Sequence, residues 1–350
     1  MKKKNIFNKV YYELTGCIHN HSEYSYDGSI SLARIIREAK LRELDYVTIN
    51  DHMTVAAKED KAVLKEKDLL IIVGTEINDP QKNHHFLVFN SDDIIKGKEV
   101  EEYTEYYANT KAIGFVAHPF EKRICTRFRK FEWQRTEVDN FDGIEIWNYL
   151  SEWIGKMKPR LNGIFLVLFP SWFISKPYRK TLNWWDELNA SGKRRSAIGS
   201  VDAHTERMKK LGIKFKFLRH RTLYKAIRTN VLINCESEVN EKNILAALKN
   251  GNSYIVNNKV RNPYNFFAGI SSKANGNAIF GEEIKFHEDM KFYFRIPEIG
   301  NVALYRNGDK IASKRNEKGY FQIEGSGNYR LEITRWGRGW IYTNNIYVID

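Results

Sequence analysis

From about residue 11 to residue 258, short apolar segments typical of strands alternate with segments that have helical spacing. The strand-like segments are YELTGCIH, DYVTIND, DLLIIVGTEI, HHFLVFN, AIGFVAHP, GIEIWN, RSAIGSVDAH and NVLINCES. Between them, SLARIIREAKLREL carries apolar residues at helical intervals, and two later helical segments end at Gly192 and Gly251. This alternation predicts an α/β fold with a parallel sheet or barrel, in which polar chemistry belongs at the carboxyl ends of the strands.

The pattern changes after residue 258. Residues 262–350 contain repeated short strand-like segments separated by turn signals. Asn307 and Gly308 lie between two alternating runs, which predicts a tight β-hairpin. We therefore expect an α/β domain over residues 1–258 and a small all-β, sandwich-like domain over residues 259–350.

Two of the strand-like segments end in pairs of side chains that could chelate a metal ion. His19 and His21 are two residues apart, as are Asp202 and His204, and residues i and i+2 of a strand face the same side. Other apolar segments have His52, Glu76, His84, His85 or His118 at or near one end. Seven of the nine histidines of the chain lie in these segments.

Such a set of imidazoles and carboxylates predicts a metal centre. Apolar strands have no packing reason to end in these groups, and clustered unpaired charge is costly without a cation. Nitrogen and carboxylate ligands without thiolate suit Zn²⁺, Mn²⁺ or Fe²⁺ better than Ca²⁺ or Mg²⁺. The candidate ligands are too many for one ion, so we expect two or three.

The ordered motifs HNH, NDH, GTEI, HFLVF, AHP and VDAH resemble those of the PHP (polymerase and histidinol phosphatase) superfamily over roughly residues 15–258. The segments ALKNGNSYIVN and GNYRLEITRWGRGWIYTNNIYV resemble the branch of PHP metallohydrolases that includes carbaryl hydrolase. The resemblance implies a distorted (β/α)7 barrel with a trinuclear metal site.

The resemblance also implies how three metal ions would share their ligands. The first ion would have His19, His21, Glu76 and Asp202, the second would share Glu76 and have His85 and His118, and the third would have Asp27, His52 and His204. Many relatives carry His at the position of Asp27 and others Asp, so occupancy of the third site stays open. The family's register of HFLVF favours His85 over His84, since neighbours on a strand face opposite sides. By the same reasoning, Asp51 would support the site and not bind metal.

The reaction expected from this resemblance is hydrolysis of a small phosphorylated substrate by a hydroxide that bridges two metal ions beside Glu76. Glu76, Asp202 and Arg123 form the predicted catalytic set. Arg123 follows His118 in a basic loop and would bind phosphate, unless that loop is merely solvated. Asn148, at the end of GIEIWN, and His84 are further candidates for substrate contact, with an outward-facing position as the alternative for His84.

Two other functions stay open. A carboxylester or carbamate hydrolase is favoured by the likeness to carbaryl hydrolase and by the apolar segment 161–185, and a non-catalytic metal-binding or ligand-binding protein is the third possibility. Nucleic acid is not an expected partner, because the cationic residues behind the net charge of +13 are scattered along the chain. The oligomeric state is left open.

Segment 161–185, LNGIFLVLFPSWFISKPYRKTLNWW, is unusually apolar and aromatic. We expect an inserted, buried hairpin or helix, with a lid over the site or a membrane-surface or partner contact as alternatives. The segment is too short, and too interrupted by Pro170 and Lys176, to span a bilayer. The three widely spaced cysteines and the absence of an apolar signal core near the N-terminus favour the reduced cytoplasm.

Overall fold

The computed structural model describes residues 2–158, 162–204, 206–210 and 213–350. The helices are α1 (Leu32–Lys40), α2 (Lys61–Lys65), α3 (Val100–Ala108), α4 (Tyr149–Gly155), α5 (Gly163–Leu168), α6 (Arg179–Ala190), α7 (His220–Leu223) and α8 (Glu241–Asn250). The strands that precede α8 are β1 (Lys2–Ile6), β2 (Lys9–Asn20), β3 (Tyr46–Ile49), β4 (Leu70–Val73), β5 (Thr75–Asn78), β6 (His85–Phe89), β7 (Ile113–Val116), β8 (Gly143–Asn148), β9 (Ser196–Ala203), β10 (Glu206–Lys210), β11 (Ile213–Phe217) and β12 (Ile227–Asn234). The strands that follow α8 are β13 (Ser253–Asn257), β14 (Phe267–Ser272), β15 (Gly276–Ala278), β16 (Glu283–Lys285), β17 (Lys291–Arg306), β18 (Asp309–Gln322), β19 (Gly327–Arg335), β20 (Arg338–Thr343) and β21 (Ile346–Ile349).

The chain divides into two compact units, each made of separate segments. The site unit comprises Thr15–Ile174 and Gly199–Arg228, and the β unit comprises Met1–Leu14, Ser175–Ile198 and Thr229–Asp350. The β unit thus includes α8 and β13, which precede the boundary at residue 258 suggested by the sequence. The division of the chain into two domains at residue 258 stays a prediction.

In the site unit, β2, β3, β4 and β9 are parallel neighbours. β3 pairs with β2 and with β4, and β2 pairs with β9. The carboxyl ends of β2 and β9 therefore lie side by side, and the amide of His21 donates to the carbonyl of Ala203 at 3.0 Å. This pairing brings His19 and His21 next to Asp202 and His204.

A second group of strands in the site unit is partly antiparallel. β5 and β7 each pair antiparallel with β6, whereas β7 and β8 are parallel. The expectation of a parallel arrangement is wrong for these strands, because residues 79–84 between β5 and β6 are too few for a helical crossover. The site unit is an α/β structure, and the (β/α)7 barrel stays a prediction.

The C-terminal strands of the β unit form a largely antiparallel network. β17 pairs with β14, β18 and β19, and β19 also pairs with β20 and β21. Alternate side chains of these strands, such as Phe292, Phe294 and Leu331, pack into one apolar core. Residues 259–350, all of which the structure describes, contain strands and no helix. The expected all-β character of this region is confirmed.

Two local predictions from glycine positions are also confirmed. Arg306 lies opposite Asp309, so Asn307 and Gly308 form a two-residue hairpin loop. Both loop residues have positive φ, 51° and 91°, as a type I′ turn requires. Helix α8 ends at Gly251, which has φ 78° in the left-handed region.

The apolar segment 161–185 differs from its expected burial. Leu161 lies outside the described residues, and the following residues form α5, a short 3₁₀ turn at Pro170–Trp172 and the start of α6. Five large apolar side chains between residues 164 and 172 are exposed: Ile164, Phe165, Leu168, Phe169 and Trp172. The prediction of a buried insertion is wrong for them, because α5 has only six residues and buries Leu166 alone. No helix within the described residues is long and apolar enough to cross a membrane.

Candidate metal centre

Glu76, a buried residue of β5, lies at the centre of a group of histidines. Its Oε2 atom is 3.1 Å from Nε2 of His19 and 3.3 Å from Nε2 of both His21 and His52. Its Oε1 atom is 2.8 Å from Nδ1 of His85 and 3.5 Å from Nε2 of His118. One carboxylate therefore faces imidazoles that come from five separate positions along the chain.

The remaining candidate ligands extend this cluster. Oδ1 of Asp202 is 3.5 Å from Nε2 of both His19 and His21. Oδ2 of Asp27 is 3.1 Å from Nε2 of both His52 and His204. All nine side chains that were predicted as ligands thus lie in one cluster, although their role as ligands stays a prediction.

Three overlapping groups bring donor atoms within 4.8 Å of one another: His19, His21 and Glu76; His52, Glu76 and His85; and His21, Asp27, His52 and His204. These groups resemble the expected division of ligands, with four differences. Asp202 and His118 belong to none of the three groups. His21 also lies in the group around Asp27, and His52 also lies in the group around Glu76 and His85. The geometry therefore leaves more than one way of assigning these two histidines to an ion.

The backbone at three strand ends helps to direct these side chains. His19, His118 and Asp202 have φ values of 67°, 28° and 51°, a region that costs free energy for residues other than glycine. Such conformations persist only where the surrounding structure enforces them. The extended i, i+2 geometry assumed from the sequence consequently does not describe the strand ends that carry His19 and Asp202.

The donor atoms fit a divalent cation. Nε2 of His19, His21 and His85 are buried and have no hydrogen-bond partner among the described residues. Nε2 of His19 and His21 nevertheless lie within 3.5 Å of carboxylate oxygens, so their lone pairs converge without hydrogen bonding. Ligands at about 2.0–2.2 Å from one ion are separated by about 3.0–3.5 Å, which is the spacing found here.

The charges of the cluster are strongly coupled. Burial alone would raise the pKa of Glu76, but the imidazoles of His19, His52 and His85 hold it well below its usual range. Burial would lower the pKa of His21, but Asp202 and Glu76 outweigh it and raise the value to about 10. The carboxylates therefore stabilise positive charge at the cluster, which protons or divalent cations can supply.

Glu145, a fully buried residue of β8, supports this cluster and was missed in the sequence. Its Oε1 lies 2.8 Å from Nδ1 of His19, and its Oε2 accepts the amide hydrogen of His118 at 2.9 Å. The sequence signal was a glutamate in the middle of the apolar segment GIEIWN. Asn148 reaches the same place, since its Nδ2 donates to Glu145 at 3.0 Å and to Asp202 at 3.3 Å.

Residues 18–146 match the sequence profile of the PHP domain. The chain contains a PHP domain. The matched stretch includes seven of the nine predicted ligands and also Glu145, whereas Asp202 and His204 lie beyond it. A comparison with curated proteins finds no match.

Two solved structures are similar to parts of this chain. One is endonuclease Q in complex with a 27-mer duplex substrate that has an abasic lesion at the active site, with 15% identity and a TM-score of 0.40 over 68% of this chain and 57% of that chain. The other is a "putative metal-dependent phosphoesterase" from Bifidobacterium adolescentis, with 15% identity and a TM-score of 0.32 over 58% of this chain and 92% of that chain. The chain thus spans little more than half the length of the endonuclease Q chain. Neither comparison identifies the carbaryl hydrolase branch.

Two other polar residues near the cluster have defined partners. Asp51 accepts hydrogen bonds from the backbone amide and the hydroxyl of Ser22, at 2.5 and 2.6 Å. His84 places Nδ1 2.9 Å from Oδ2 of Asp79, and its ring contacts Trp133 edge to face. Both contacts hold loops in place, and the role of His84 in substrate binding stays a prediction.

Arg123, the arginine predicted to bind phosphate, has its donors engaged within its own loop. Nη2 donates to Glu121 at 2.5 Å, and Nε and Nη1 donate to the backbone carbonyls of Arg129 and Lys122. Glu121 also accepts from the amide of Phe131 and the hydroxyl of Ser151. These contacts favour a structural role for Arg123, and its catalytic role stays a prediction.

Two cation–aromatic pairs flank the cluster. Tyr26 is exposed and stacks on His52 at 4.6 Å between ring centroids, and Nζ of Lys82 lies 4.5 Å from the Tyr26 centroid. Phe131 contacts the ring of His85 at 4.8 Å, and the guanidinium of Arg129 lies 5.2 Å from the Phe131 centroid. We call Tyr26, Lys82, Arg129 and Phe131 the rim.

Proposed function

We propose that this protein is a metal-dependent hydrolase of phosphoesters that acts at the cluster around Glu76. The observation that supports this proposal most strongly is the convergence of buried, unpartnered imidazole nitrogens on one carboxylate that belongs to two donor groups. The PHP domain over residues 18–146 adds to it. Two or three ions would be bound, with Zn²⁺, Mn²⁺ and Fe²⁺ as the metals that suit these ligands.

When bound, such ions supply Lewis acidity toward a phosphoryl oxygen and lower the pKa of a water molecule. The chain's own residues orient the ligands for this purpose. The Glu145 carboxylate accepts the Nδ1 hydrogen of His19, which fixes the tautomer and leaves Nε2 as the donor toward metal. Asn148 restrains Asp202, because its side-chain amide donates a hydrogen bond to the Asp202 carboxylate.

The rim would select the substrate. Arg129 uses Nη2 for Gln81 and Asn83, and its Nε and Nη1 have no partner among the described residues. Together with Lys82 it places two cationic groups beside the aromatic rings that contact His52 and His85. Guanidinium and ammonium groups bind phosphate strongly, so these charges favour a phosphorylated substrate over a neutral ester or carbamate.

A hydrolysis screen of metal-reconstituted protein tests this proposal. The metal content of each sample is measured by elemental analysis, and p-nitrophenyl phosphate, bis(p-nitrophenyl) phosphate, p-nitrophenyl acetate and a naphthyl carbamate are compared. We expect phosphate ester hydrolysis that requires added metal and disappears with chelator. Turnover of the acetate or carbamate alone, without any phosphate ester hydrolysis, would contradict the proposal.

A further inference from the structure

The three-stranded antiparallel region β14–β17–β18 of the β unit has a distinct outward face. Side chains opposite one another in paired strands share a face, and the register places Phe267 opposite Arg295 and Arg295 opposite Lys318. Two residues along the strands, Tyr293 lies opposite Tyr320. Phe292 and Phe294 of β17 point the other way, into the apolar core.

Aromatic rings on this outward face remain accessible. Tyr320 is 43% exposed, and Tyr293 and Phe267 are half-buried. The rings of Tyr293 and Tyr320 are 5.6 Å apart, and Phe7 packs edge to face against Phe267 at 5.0 Å. Together these rings form a platform for flat, apolar groups.

Cationic groups surround the platform. Arg295 and Lys318 stand directly opposite each other, an arrangement that destabilises a strand pair. Neither makes an ion pair with a carboxylate among the described residues. Nζ of Lys291 lies 4.5 Å from the centroid of Tyr320, and Nζ of Lys314 lies 5.2 Å from it.

Two adjacent cavities open along this face. One, of about 450 Å³, is lined by Tyr293, Arg295, Lys318 and Tyr320 among others. The next, of about 440 Å³, shares Asn5, Phe267 and Arg295 with the first and continues along Lys2, Lys3 and Lys4 of β1. Glu13 is the single carboxylate among the described residues that line either cavity, and it is already paired with Lys4.

We propose that this basic and aromatic face of the β unit binds single-stranded nucleic acid. Its cations match the charge of a phosphodiester backbone, and its rings offer stacking surfaces for unpaired bases. Neutral sugars could stack on the rings, but they would supply no negative charge to the cations. This site is separate from the proposed hydrolysis at Glu76 and replaces the sequence-based expectation that nucleic acid is not a partner.

Fluorescence anisotropy with a labelled oligothymidine about 20 nucleotides long tests the proposal, since single-strand sites cover about 4–16 nucleotides. The whole chain is titrated at several salt concentrations between about 50 and 200 mM. The variants are Tyr320→Ala, Tyr320→Phe and Lys318→Ala. Lys242→Ala, which removes an exposed lysine of α8 that lines neither cavity, is the control of equal charge.

We expect salt-dependent binding that Tyr320→Ala weakens at least about fivefold, since stacking is lost, and that Tyr320→Phe retains. Lys318→Ala should weaken binding and lower the salt slope by about 0.7, while Lys242→Ala should do neither. Absence of binding at low salt would overturn the proposal. Equal losses of affinity in Lys318→Ala and Lys242→Ala would also overturn it. The same holds if dextran sulfate displaces the oligonucleotide completely and Tyr320→Ala binds with wild-type affinity. Both results would indicate nonspecific attraction of polyanions.

Binding should persist in Glu76→Ala, because Glu76 belongs to the other unit and lines neither cavity. A protein that binds the oligonucleotide and hydrolyses no phosphoester would refute the proposed activity and leave this inference intact. A protein that hydrolyses phosphoesters and fails to bind the oligonucleotide would support the proposed activity and refute this inference.

Discussion

Nδ1 of His19 lies 2.8 Å from Oε1 of Glu145, and both side chains are completely buried. Burial would raise the pKa of Glu145, but His19 and His118 outweigh it and lower the value, so the carboxylate is ionised and accepts the hydrogen from His19. This contact leaves Nε2 of His19 as the free nitrogen that faces Glu76. Glu145 is therefore a positioning residue for the candidate metal centre.

Replacing Glu145 with glutamine should weaken metal binding about 10- to 100-fold, the usual cost of losing a partner that orients a metal-binding histidine. Competition with a chelator of known affinity measures the effect. The matched control is Glu38→Gln, which neutralises another buried carboxylate, one that contacts Arg34 and Arg221. Unchanged metal affinity in a folded Glu145→Gln protein would rule out the positioning role.

Replacing Glu76 with alanine should lower metal content and abolish hydrolysis together, because two of the three donor groups include this carboxylate. Elemental analysis and a phosphoester assay on the same sample provide the two readouts. Glu76→Gln keeps the shape of the side chain and separates the effect of charge from that of volume. Full metal occupancy with normal turnover in either variant would disprove a bridging role.

Replacing Arg129 with alanine should lower kcat/KM for a phosphorylated substrate about tenfold or more, the cost of one hydrogen bond to a charged group. The loss should appear mainly in KM, since Arg129 contacts Phe131 at the rim and not the candidate ligands. Lys130→Ala removes a neighbouring exposed cation that pairs with Glu132, and should have little effect. Equal effects of the two substitutions would mean that only net charge matters.

Replacing Asp186 with asparagine should destabilise the protein by about 1.5–3 kcal/mol, the contribution of a hydrogen bond to a charged group, because Glu332 alone would then offset the buried charge of Arg330. Arg330 is 1% exposed and donates to both oxygens of Asp186 at 2.7 Å. Urea unfolding measures the change. The exposed pair of Lys40 and Asp68 provides the contrast, since Asp68→Asn should leave the free energy of unfolding almost unchanged.

The same network predicts how stability depends on pH. Burial would raise the pKa of Glu332, but Arg330 and Arg179 outweigh it and hold the value below 4.5. A carboxylate whose pKa is lower in the folded state stabilises the protein above its unfolded pKa, and this contribution is lost as the pH falls toward the folded value. Unfolding free energies measured between neutral pH and about pH 3 should therefore fall less steeply in Glu332→Gln. An unchanged slope would exclude a contribution from Glu332.

Local sequence patterns identified the elements and the chemistry of the candidate site. The apolar periods located the strands that carry His19, Glu76 and Asp202, and the motif order indicated a PHP domain that the family comparison then found over residues 18–146. The turn at Asn307-Gly308 was also predictable, since its backbone needs residues that tolerate positive φ. These features depend on a few neighbouring residues, so the sequence alone determines them.

Tertiary structure decided which of these side chains meet. In the sequence, Glu145 is a single polar residue in an apolar strand, and only the position of β8 in the fold brings it beside His19. The rim likewise forms only where residues 26, 82 and 129–131 come together. The basic face of the β unit likewise joins β1, β17 and β18, whose lysines and arginines are distant in sequence. Strand pairing and register fix such contacts through hydrogen bonds between remote segments, and no short window of sequence contains that information.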